Sequence, residues 1–236
     1  MKLKITKKEK QALKKVFENF GRTKTEEEIF YDLVFCLLAP QTTFKSNVKV
    51  TNELKKLDFY HAPLPVSGRR MSKNWYTKNL PEILKPVRFY RNKAKYLIEA
   101  KKKFPEIFVK VMVKDAYYLQ KEESEEAKII REWLVKNVKG LGMKTASHFL
   151  RNLGEENLAV IDVHICKFLA DRICTHSLNK KEDIKKLVKE AGTRKGYLRL
   201  ENEFCRIAKE NKVSPAMLDA YLWKIYSGTA WEEFKF

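Results

Sequence analysis

The sequence predicts an all-α protein, and three observations support that fold class. Apolar residues recur at i, i+3, i+4 and i+7 through most of the 236 residues, which is the spacing of amphipathic helices. The one stretch with strand character, LAVID at 158–162, is too short to build a sheet. The chain contains no internal repeat and no low-complexity linker. We therefore expect a compact bundle of about ten helices.

Helix ends in the first half are marked by specific residues. The capping box TEEE at 25–28 precedes EEEIFYDLVFCLLA, which is apolar on most sides and is expected to be a central buried helix. Pro40 ends this helix, and the next begins after Gln41 and Thr42, with Thr43 as its candidate N-cap. Residues 58–79 are predicted to form a basic loop. Further helices are expected over 88–104, roughly 105–118 and roughly 125–138.

The second half opens with two helices joined by a glycine turn. EEAKIIREWLVKNV is followed by KGLGM and then by TASHFLRNLG, so that a helix-hairpin-helix spans 125–154. The N–H groups at the start of its second helix would suit a phosphate, but a glycine turn also joins ordinary helical hairpins. Ser214 and Pro215 mark the start of the last helix. Four more helices are expected near 163–174, 180–191, 196–211 and 215–227.

The chain is strongly basic. Lys and Arg number 49 against 30 Asp and Glu, a formal charge of +19, which implies nucleic acid or, second, an anionic membrane as partner. A lysine-rich surface of the kind found in heat-adapted proteins is the alternative, although those surfaces usually balance Lys with Glu. No apolar run approaches the ~20 residues that span a bilayer, and the N-terminus lacks the apolar core of a signal peptide. We therefore expect a cytoplasmic protein without a membrane partner.

Cysteine and histidine usage argues against a metal centre. The four cysteines are scattered and form no CxxC pair, so free thiols in a reducing compartment are expected rather than a zinc or redox motif. The histidines and acidic residues form no cluster with the spacing of metal ligands. We therefore predict no divalent metal and no redox cofactor.

Lys144 and Asp162 are the two candidate catalytic residues. Lys144 stands just behind the glycine turn, at the start of a helix, where the positive end of the helix disfavours a cation. Either Lys144 is a solvated surface residue, or the site uses a partly desolvated lysine that loses its proton easily and acts as a nucleophile. Asp162 follows eighteen residues later at the start of the next helix, where capping alone would explain it.

The combination resembles the helix-hairpin-helix DNA glycosylase superfamily, whose motif is a hairpin, a Gly/Pro-rich loop and an Asp. GLGMK and the Asp of IDVHI occupy the matching positions, and the loop RNLGEENLAV has Gly154 but no proline. FYRNKAKYLIEAKKKF, VKGLGMKTASHFLRNLG and LDAYLWKIYSG resemble the archaeal-type 8-oxoguanine DNA glycosylase/AP lyases. The endonuclease III branch usually carries four closely spaced C-terminal cysteines for an iron–sulfur cluster, and only Cys205 lies there.

The resemblance implies a bifunctional DNA repair enzyme that excises 8-oxoguanine and then cleaves the strand. Lys144 would attack C1′ of the damaged nucleotide and form a Schiff base, and Asp162 would stabilise positive charge on the sugar. The expected partner is double-stranded DNA with a damaged base, bound by a monomer. No cofactor is implied, apart from a monovalent cation held by the hairpin carbonyls.

We expect two packed helical subdomains with the DNA-binding cleft between them. Both chain ends, 1–40 and 156–236, would form one subdomain, and 41–155 would form a helical bundle that ends in the helix-hairpin-helix.

Further residues are expected to contact the DNA. The hairpin residues would lie at phosphates, and so would His164, two residues after Asp162. Gln41 and Thr42 follow the buried second helix where related enzymes carry polar residues that fill the gap left by a flipped base, although helix capping explains them equally well. The hairpin residues are Gly140, Gly142 and Met143.

Four residues are candidates for recognition of the damaged base. His148 lies one helical turn beyond Lys144, and an exposed helix histidine is the alternative. In the aromatic tail, Trp223 and Trp231 would stack on a flipped purine, and Phe236 or its carboxylate would reach the base. Packing of Trp223 into the core is the alternative for that residue.

The sequence is also compatible with two other functions. A non-enzymatic helix-hairpin-helix DNA-binding protein would need the glycine turn and the positive charge but neither candidate catalytic residue. A glycosylase of the endonuclease III type would act on oxidised pyrimidines. A membrane-surface protein would need an amphipathic helix with a bulky aromatic insertion face beside its basic face, which the chain lacks.

The charge surplus predicts how DNA binding responds to salt. Because each neutralised phosphate releases counterions, the logarithm of the affinity should fall with the logarithm of the salt concentration, with a slope of about −0.9 for each phosphate contacted. Fluorescence anisotropy of a labelled duplex over a series of KCl concentrations measures this slope. A slope near zero would contradict a role of the basic residues in phosphate binding.

Overall fold

The fold is built from helices alone in the part of the chain that the computed structural model describes, residues 3, 5–20, 22–64, 75–112, 123–174 and 179–227. No β-strand occurs within these ranges, which confirms the predicted all-α class, and LAVID is a buried segment outside the helices. A π-helical turn, Trp75–Asn79, precedes α4. The α-helices are α1 (Lys7–Phe20), α2 (Glu26–Leu38), α3 (Phe44–Lys56), α4 (Leu80–Ile83), α5 (Tyr90–Met112), α6 (Glu123–Asn137), α7 (Met143–Asn152), α8 (Val163–Ile173), α9 (Lys180–Ala191), α10 (Arg194–Glu210) and α11 (Pro215–Ser227).

The chain divides into two compact units. Unit 1 consists of Met1–Arg22, Glu122–Lys128 and Leu150–Phe236, and unit 2 consists of Thr23–Lys121 and Ile129–Phe149. This division differs from the expected boundaries at 40 and 155. Helix α2 belongs to unit 2 because its buried side chains pack against α3 and α5. The division also falls within α6 and α7, so the helix-hairpin-helix contributes residues to both units.

Helix α2 is the buried centre of unit 2. Thr25 and Glu28 form the predicted capping box, in which each side chain bonds the backbone of the other residue. Every residue from Ile29 to Leu38 is buried, which confirms the expectation from its uniformly apolar sequence. After α2, the hydroxyl of Thr43 accepts the Ser46 N–H and caps α3, as predicted.

Helix α5 corrects the prediction that one helix ends near 104 and another begins at 105. The helix runs unbroken from Tyr90 to Met112 with Pro105 inside it. Proline removes one backbone hydrogen bond, but the buried stripe continues across it at helical spacing through Leu97, Phe104 and Ile107. Packing of this stripe therefore outweighs the local preference of proline to interrupt a helix. Residues 113–118 of the predicted second helix lie outside the described ranges.

Unit 1 contains α8 to α11, whose bounds agree with the predicted helices to within two residues. Ser214 caps α11 through its hydroxyl, which accepts the Met217 N–H at 3.2 Å, and Pro215 begins the helix as predicted. A buried ion pair between Arg151 of α7 and Asp219 of α11 joins two elements of this unit. All four cysteines are free thiols, as expected.

Candidate nucleic-acid interface

The hairpin turn, residues 138–142, ends at the positive end of α7. The Gly142 N–H donates to Thr145 Oγ1 at 2.8 Å, and the first helical bond runs from Ala146 N–H to the Gly142 carbonyl. The N–H groups of Met143 and Lys144 precede that bond and have no partner within the helix. Together with the helix dipole, these N–H groups favour an anion such as a phosphate at this end.

The two glycines of the turn have different structural roles. Gly140 has φ +96°, and a Cβ there would lie 2.6 Å from Tyr96 Cδ2 and 3.1 Å from Leu37 Cδ2. Position 140 therefore requires glycine for two reasons, the left-handed backbone conformation and the close packing on α5 and α2. Gly142 does not have a positive φ, and no atom lies within 4 Å of a Cβ built there. The open space beside Gly142 leaves room for another molecule to approach the backbone.

Lys144 is exposed in the first turn of α7. Of the two alternatives for Lys144, the structure shows the solvated one, with the side chain on the surface of unit 2. His148 is half-buried, and its ring packs edge-on against Phe35 of α2 with the centroids 6.0 Å apart. The alternative of a freely exposed histidine is therefore wrong.

The Gln41 turn, residues 39–42, follows α2 directly. The Thr42 N–H donates to the Ala39 carbonyl at 3.1 Å, with Pro40 and Gln41 as the central residues. Gln41 has φ +54°, a left-handed conformation that costs a residue other than glycine roughly 1 kcal/mol. Its side chain is exposed and makes no hydrogen bond to any described residue. Since Thr43 caps α3, helix capping does not account for Gln41.

Lys93 of α5 holds this turn and was not among the residues predicted from the sequence. Its ammonium donates to the Leu38 carbonyl at 2.7 Å, the Pro40 carbonyl at 2.8 Å and Thr42 Oγ1 at 2.8 Å. The side chain is only 3% exposed, and burial lowers the pKa of Lys93 to about 8. The three oxygen acceptors favour the charged form, so the ammonium persists at neutral pH. No sequence signal separates Lys93 from the many exposed lysines nearby, apart from its place on the apolar stripe of α5.

Asp162 of unit 1 is the N-cap of α8, as predicted. Its Oδ1 accepts both the His164 N–H at 2.7 Å and the Ile165 N–H at 2.9 Å. Both bonds use one carboxylate oxygen, so Oδ2 has no hydrogen-bond partner among the described residues. The carboxylate is half-buried and is held in one orientation with one oxygen available.

The segment before Asp162 is fixed by α10. The Tyr197 hydroxyl donates to the Ala159 carbonyl at 2.7 Å and accepts the Ile161 N–H at 3.2 Å. The Glu201 carboxylate accepts the Ala159 N–H at 3.2 Å. These bonds satisfy buried backbone groups that no strand pairs, and they determine where Asp162 begins α8.

Comparison with known proteins identifies the family. Residues 10–213 match the family model described as 8-oxoguanine DNA glycosylase. The chain belongs to the 8-oxoguanine DNA glycosylase family. This confirms the resemblance drawn from GLGMK, IDVHI and the flanking helices.

Relatives in this family align over most of their length. The chain is 34% identical over 218 residues to the 8-oxoguanine DNA glycosylase/AP lyase of Fusobacterium nucleatum, covering 91% of this chain and 86% of that protein. It is 30% identical over 219 residues to the protein of that name from Korarchaeum cryptofilum, covering 93% and 90%. The Methanocaldococcus jannaschii protein of the same name is 33% identical over 214 residues, covering 90% and 86%.

Solved structures of the family share the fold. The Methanocaldococcus jannaschii 8-oxoguanine glycosylase/lyase in complex with a 15mer DNA containing 8-oxoguanine matches with a TM-score of 0.70 at 28% identity, covering 93% of this chain and 91% of that chain. The 8-oxoguanine DNA glycosylase of Thermotoga maritima matches with a TM-score of 0.67 at 26% identity, covering 95% and 93%.

Phe89, like Lys93, was not among the functional residues predicted from the sequence. It lies immediately before α5 with φ +58° and is 51% exposed, and the Arg88 guanidinium lies 5.0 Å from its ring centroid. An exposed aromatic ring beside arginines is suited to stacking on a nucleic-acid base. The signal that could have identified Phe89 from the sequence is RFYR, in which aromatic residues stand between two arginines ahead of an amphipathic helix.

The remaining predicted residues lie in or after unit 1. The ring of His164 packs against Tyr226 with centroids 6.1 Å apart, and its Nδ1 is buried. Trp223 is half-buried in α11. Trp231 and Phe236 lie outside the described residues.

Within the described ranges, no three His, Cys, Asp or Glu side chains are grouped so that they could hold a metal ion, and no helix is long and apolar enough to cross a membrane.

The hairpin glycines provide a matched pair of substitutions. Gly140→Ala should lower the free energy of unfolding by about 2 kcal/mol, because its Cβ meets Tyr96 and its φ is left-handed. Gly142→Ala should change stability by less than about 0.5 kcal/mol but weaken DNA binding, because its Cβ occupies the open space at the helix end. Urea denaturation and fluorescence anisotropy measure the two effects. Equal stability of both variants would contradict the distinction.

Proposed function

We propose that this protein excises 8-oxoguanine from double-stranded DNA and then cleaves the strand 3′ to the lesion. The observation that carries the proposal is an exposed lysine amine, Lys144, in the first turn of α7 behind the open backbone of Gly142, in a chain of the 8-oxoguanine DNA glycosylase family. Its relatives named 8-oxoguanine DNA glycosylase/AP lyase support both the lesion and the lyase step.

In the proposed reaction Lys144 is the nucleophile. Its neutral amine attacks C1′, the bond from C1′ to the base breaks, and the base leaves with the bonding electrons and takes up a proton. Opening of the sugar ring gives a Schiff base between Lys144 and C1′. Loss of a proton from C2′ then breaks the bond from C3′ to its oxygen, which cleaves the strand by β-elimination.

Asp162 is the proposed electrostatic partner of this reaction. Positive charge develops on the sugar as the base departs, and a carboxylate whose orientation is already fixed stabilises that charge without reorganisation. The two N–H bonds to Oδ1 provide that fixed orientation. Oδ2 is then the oxygen that faces the reacting sugar or accepts a proton.

The damaged base must leave the duplex stack before C1′ can be attacked, at a cost of a few kcal/mol. We propose that Gln41 fills the vacated space, since its side chain is exposed and makes no hydrogen bond to any described residue. The N–H groups of Met143 and Lys144 would bind a phosphate near the lesion, with Gly140 and Gly142 shaping the turn. Thr42 would support Gln41. His164, His148 and Trp223 remain proposed contacts of the DNA backbone or the damaged base.

The proposed form is a monomer in the cytoplasm that binds its DNA without an organic cofactor. A monovalent cation at the hairpin is also proposed. The turn at 138–142 carries backbone carbonyls and no acidic side chain, a donor set of hard oxygens that fits a weakly bound alkali cation better than a transition metal. Such a cation would add positive charge beside the phosphate.

Lys144→Gln tests the nucleophile. With duplexes containing 8-oxoguanine, thymine glycol or uracil and borohydride present, the wild-type protein should form a covalent adduct chiefly with 8-oxoguanine, and Lys144→Gln should form none. Lys139→Gln is the matched control, because it removes the same charge from an exposed lysine of the hairpin turn. The Lys139→Gln protein should still form the covalent adduct with DNA. Absence of any wild-type adduct would support a non-enzymatic DNA-binding protein, and preferential trapping on thymine glycol would support a pyrimidine glycosylase.

Asp162→Asn tests the carboxylate separately from the cap. Asn caps helices about as well as Asp, so the urea midpoint and the DNA affinity should change little. Excision of 8-oxoguanine under single-turnover conditions should slow by about 100-fold or more, because the fixed negative charge is lost. An unchanged excision rate would limit Asp162 to its capping role.

A further inference from the structure

Among the residues that the structure describes, the buried ammonium of Lys93 binds only to the segment that carries Gln41. Its three acceptors are the Leu38 carbonyl, the Pro40 carbonyl and Thr42 Oγ1. The Leu38 and Pro40 carbonyls lie at and beyond the end of α2, where helix carbonyls lack intrahelical donors and the helix carries partial negative charge. A single ammonium with three donors therefore satisfies the buried oxygens on both sides of the turn.

The turn needs such support because its own bonds are few and Gln41 is strained. The bond from Thr42 N–H to the Ala39 carbonyl closes the turn, and the Thr42 hydroxyl donates to the Pro40 carbonyl at 3.3 Å. Gln41 nevertheless has φ +54°, which turns mostly assign to glycine or asparagine. Without the ammonium, the carbonyls could be satisfied by water after a rearrangement that releases the strain. The charged hydrogen bonds from Lys93 oppose that rearrangement.

We propose that Lys93 is a positioning residue for DNA binding, which holds the Gln41 turn in the conformation in which the Gln41 side chain enters the space left by the flipped nucleotide. This inference rests on the proposed function, since it assigns Gln41 the gap-filling role. Lys93 itself is buried and touches no DNA. Its contribution is to fix the turn before the duplex binds, which lowers the entropy cost of ordering it in the complex.

Lys101 of the same helix provides a matched control. It is also buried, its ammonium donates to the carbonyls of Phe59 and Tyr60, and burial lowers its pKa to about 8. The turn that it supports follows α3, whereas the Gln41 turn precedes α3. Lys101→Met and Lys93→Met therefore remove the same kind of interaction from unit 2, and only Lys93→Met affects the Gln41 turn.

The test compares binding to two duplexes. One is undamaged, and the other carries a tetrahydrofuran abasic analogue, in which the base is already absent and which cannot form a Schiff base. The ratio of the two dissociation constants measures how well the protein stabilises an empty position in the stack. Because no bond is broken, a failure of the proposed chemistry would appear only in the borohydride experiment and not here.

We expect Lys93→Met to lower this ratio by about fivefold to tenfold, as expected for loss of hydrogen bonds that order a binding turn. Gln41→Ala should lower it by a similar factor, and the double variant should be no worse than Gln41→Ala alone, because both changes remove the same interaction. Lys93→Arg should restore most of the ratio, and Lys101→Met should leave it unchanged while lowering the urea midpoint.

Four results would overturn the proposal: an unchanged ratio in Lys93→Met, an unchanged ratio in Gln41→Ala, losses that multiply in the double variant, or an equal loss in Lys101→Met. The last two would make Lys93 a general stabilising residue of unit 2. If Lys93→Met does not fold, Lys93→Gln replaces it, since this polar side chain is easier to bury beside oxygens but removes the charge and one of the three N–H donors, so the ratio should still fall. An unchanged ratio in that folded variant would likewise overturn the proposal.

Discussion

The packing of α5 against α2 and the hairpin turn is the constraint on which unit 2 depends. Lys93 and Tyr96 lie one helical turn apart on α5. Lys93 bonds the Gln41 turn, and Tyr96 fills the space that a Cβ at Gly140 would need. Leu37 of α2 also approaches Gly140, so both turns pack on the same part of unit 2. One helix thereby fixes the two turns from which the proposed DNA contacts emerge.

Buried lysines make this arrangement possible at an electrostatic cost. An ammonium in a dry environment is unfavourable unless oxygen atoms surround it, and both Lys93 and Lys101 are surrounded by carbonyl oxygens at helix or turn ends. The Lys101 ammonium also lies 5.6 Å from the Phe30 ring centroid and 5.0 Å from that of Phe59. The basic composition therefore serves two purposes in the described part of the chain, since many lysines there face solvent and these two organise the interior of unit 2.

Asp162 is held by a different principle in unit 1. A segment without regular secondary structure is buried there, and side chains of α10 supply the hydrogen bonds that a neighbouring strand would otherwise give. The carboxylate then receives two N–H bonds from the first turn of α8. Helix capping and the proposed catalytic role are compatible, because capping occupies one oxygen and orients the other.

The sequence by itself determined the helical class, most helix bounds, the caps at Thr25, Thr43, Asp162 and Ser214, and the family. These properties are local: a 3.6-residue period, a capping side chain and a spaced motif are all written within a few turns of chain. Lys144 and Asp162 could be proposed as catalytic residues from the sequence for the same reason. Glycine spacing also pointed correctly to the hairpin turn, although it did not distinguish Gly140 from Gly142.

Only the tertiary structure decided which lysines are buried, that α5 continues through Pro105, and that α2 belongs with α3 and α5. Each of these depends on contacts between residues far apart in the sequence: Lys93 meets oxygens more than fifty residues away, and the stripe that carries α5 across Pro105 has partners in other helices. Burial free energy and charged hydrogen bonds outweigh local propensity at these positions. A lysine's sequence neighbours do not reveal whether carbonyl oxygens or water will surround it after folding.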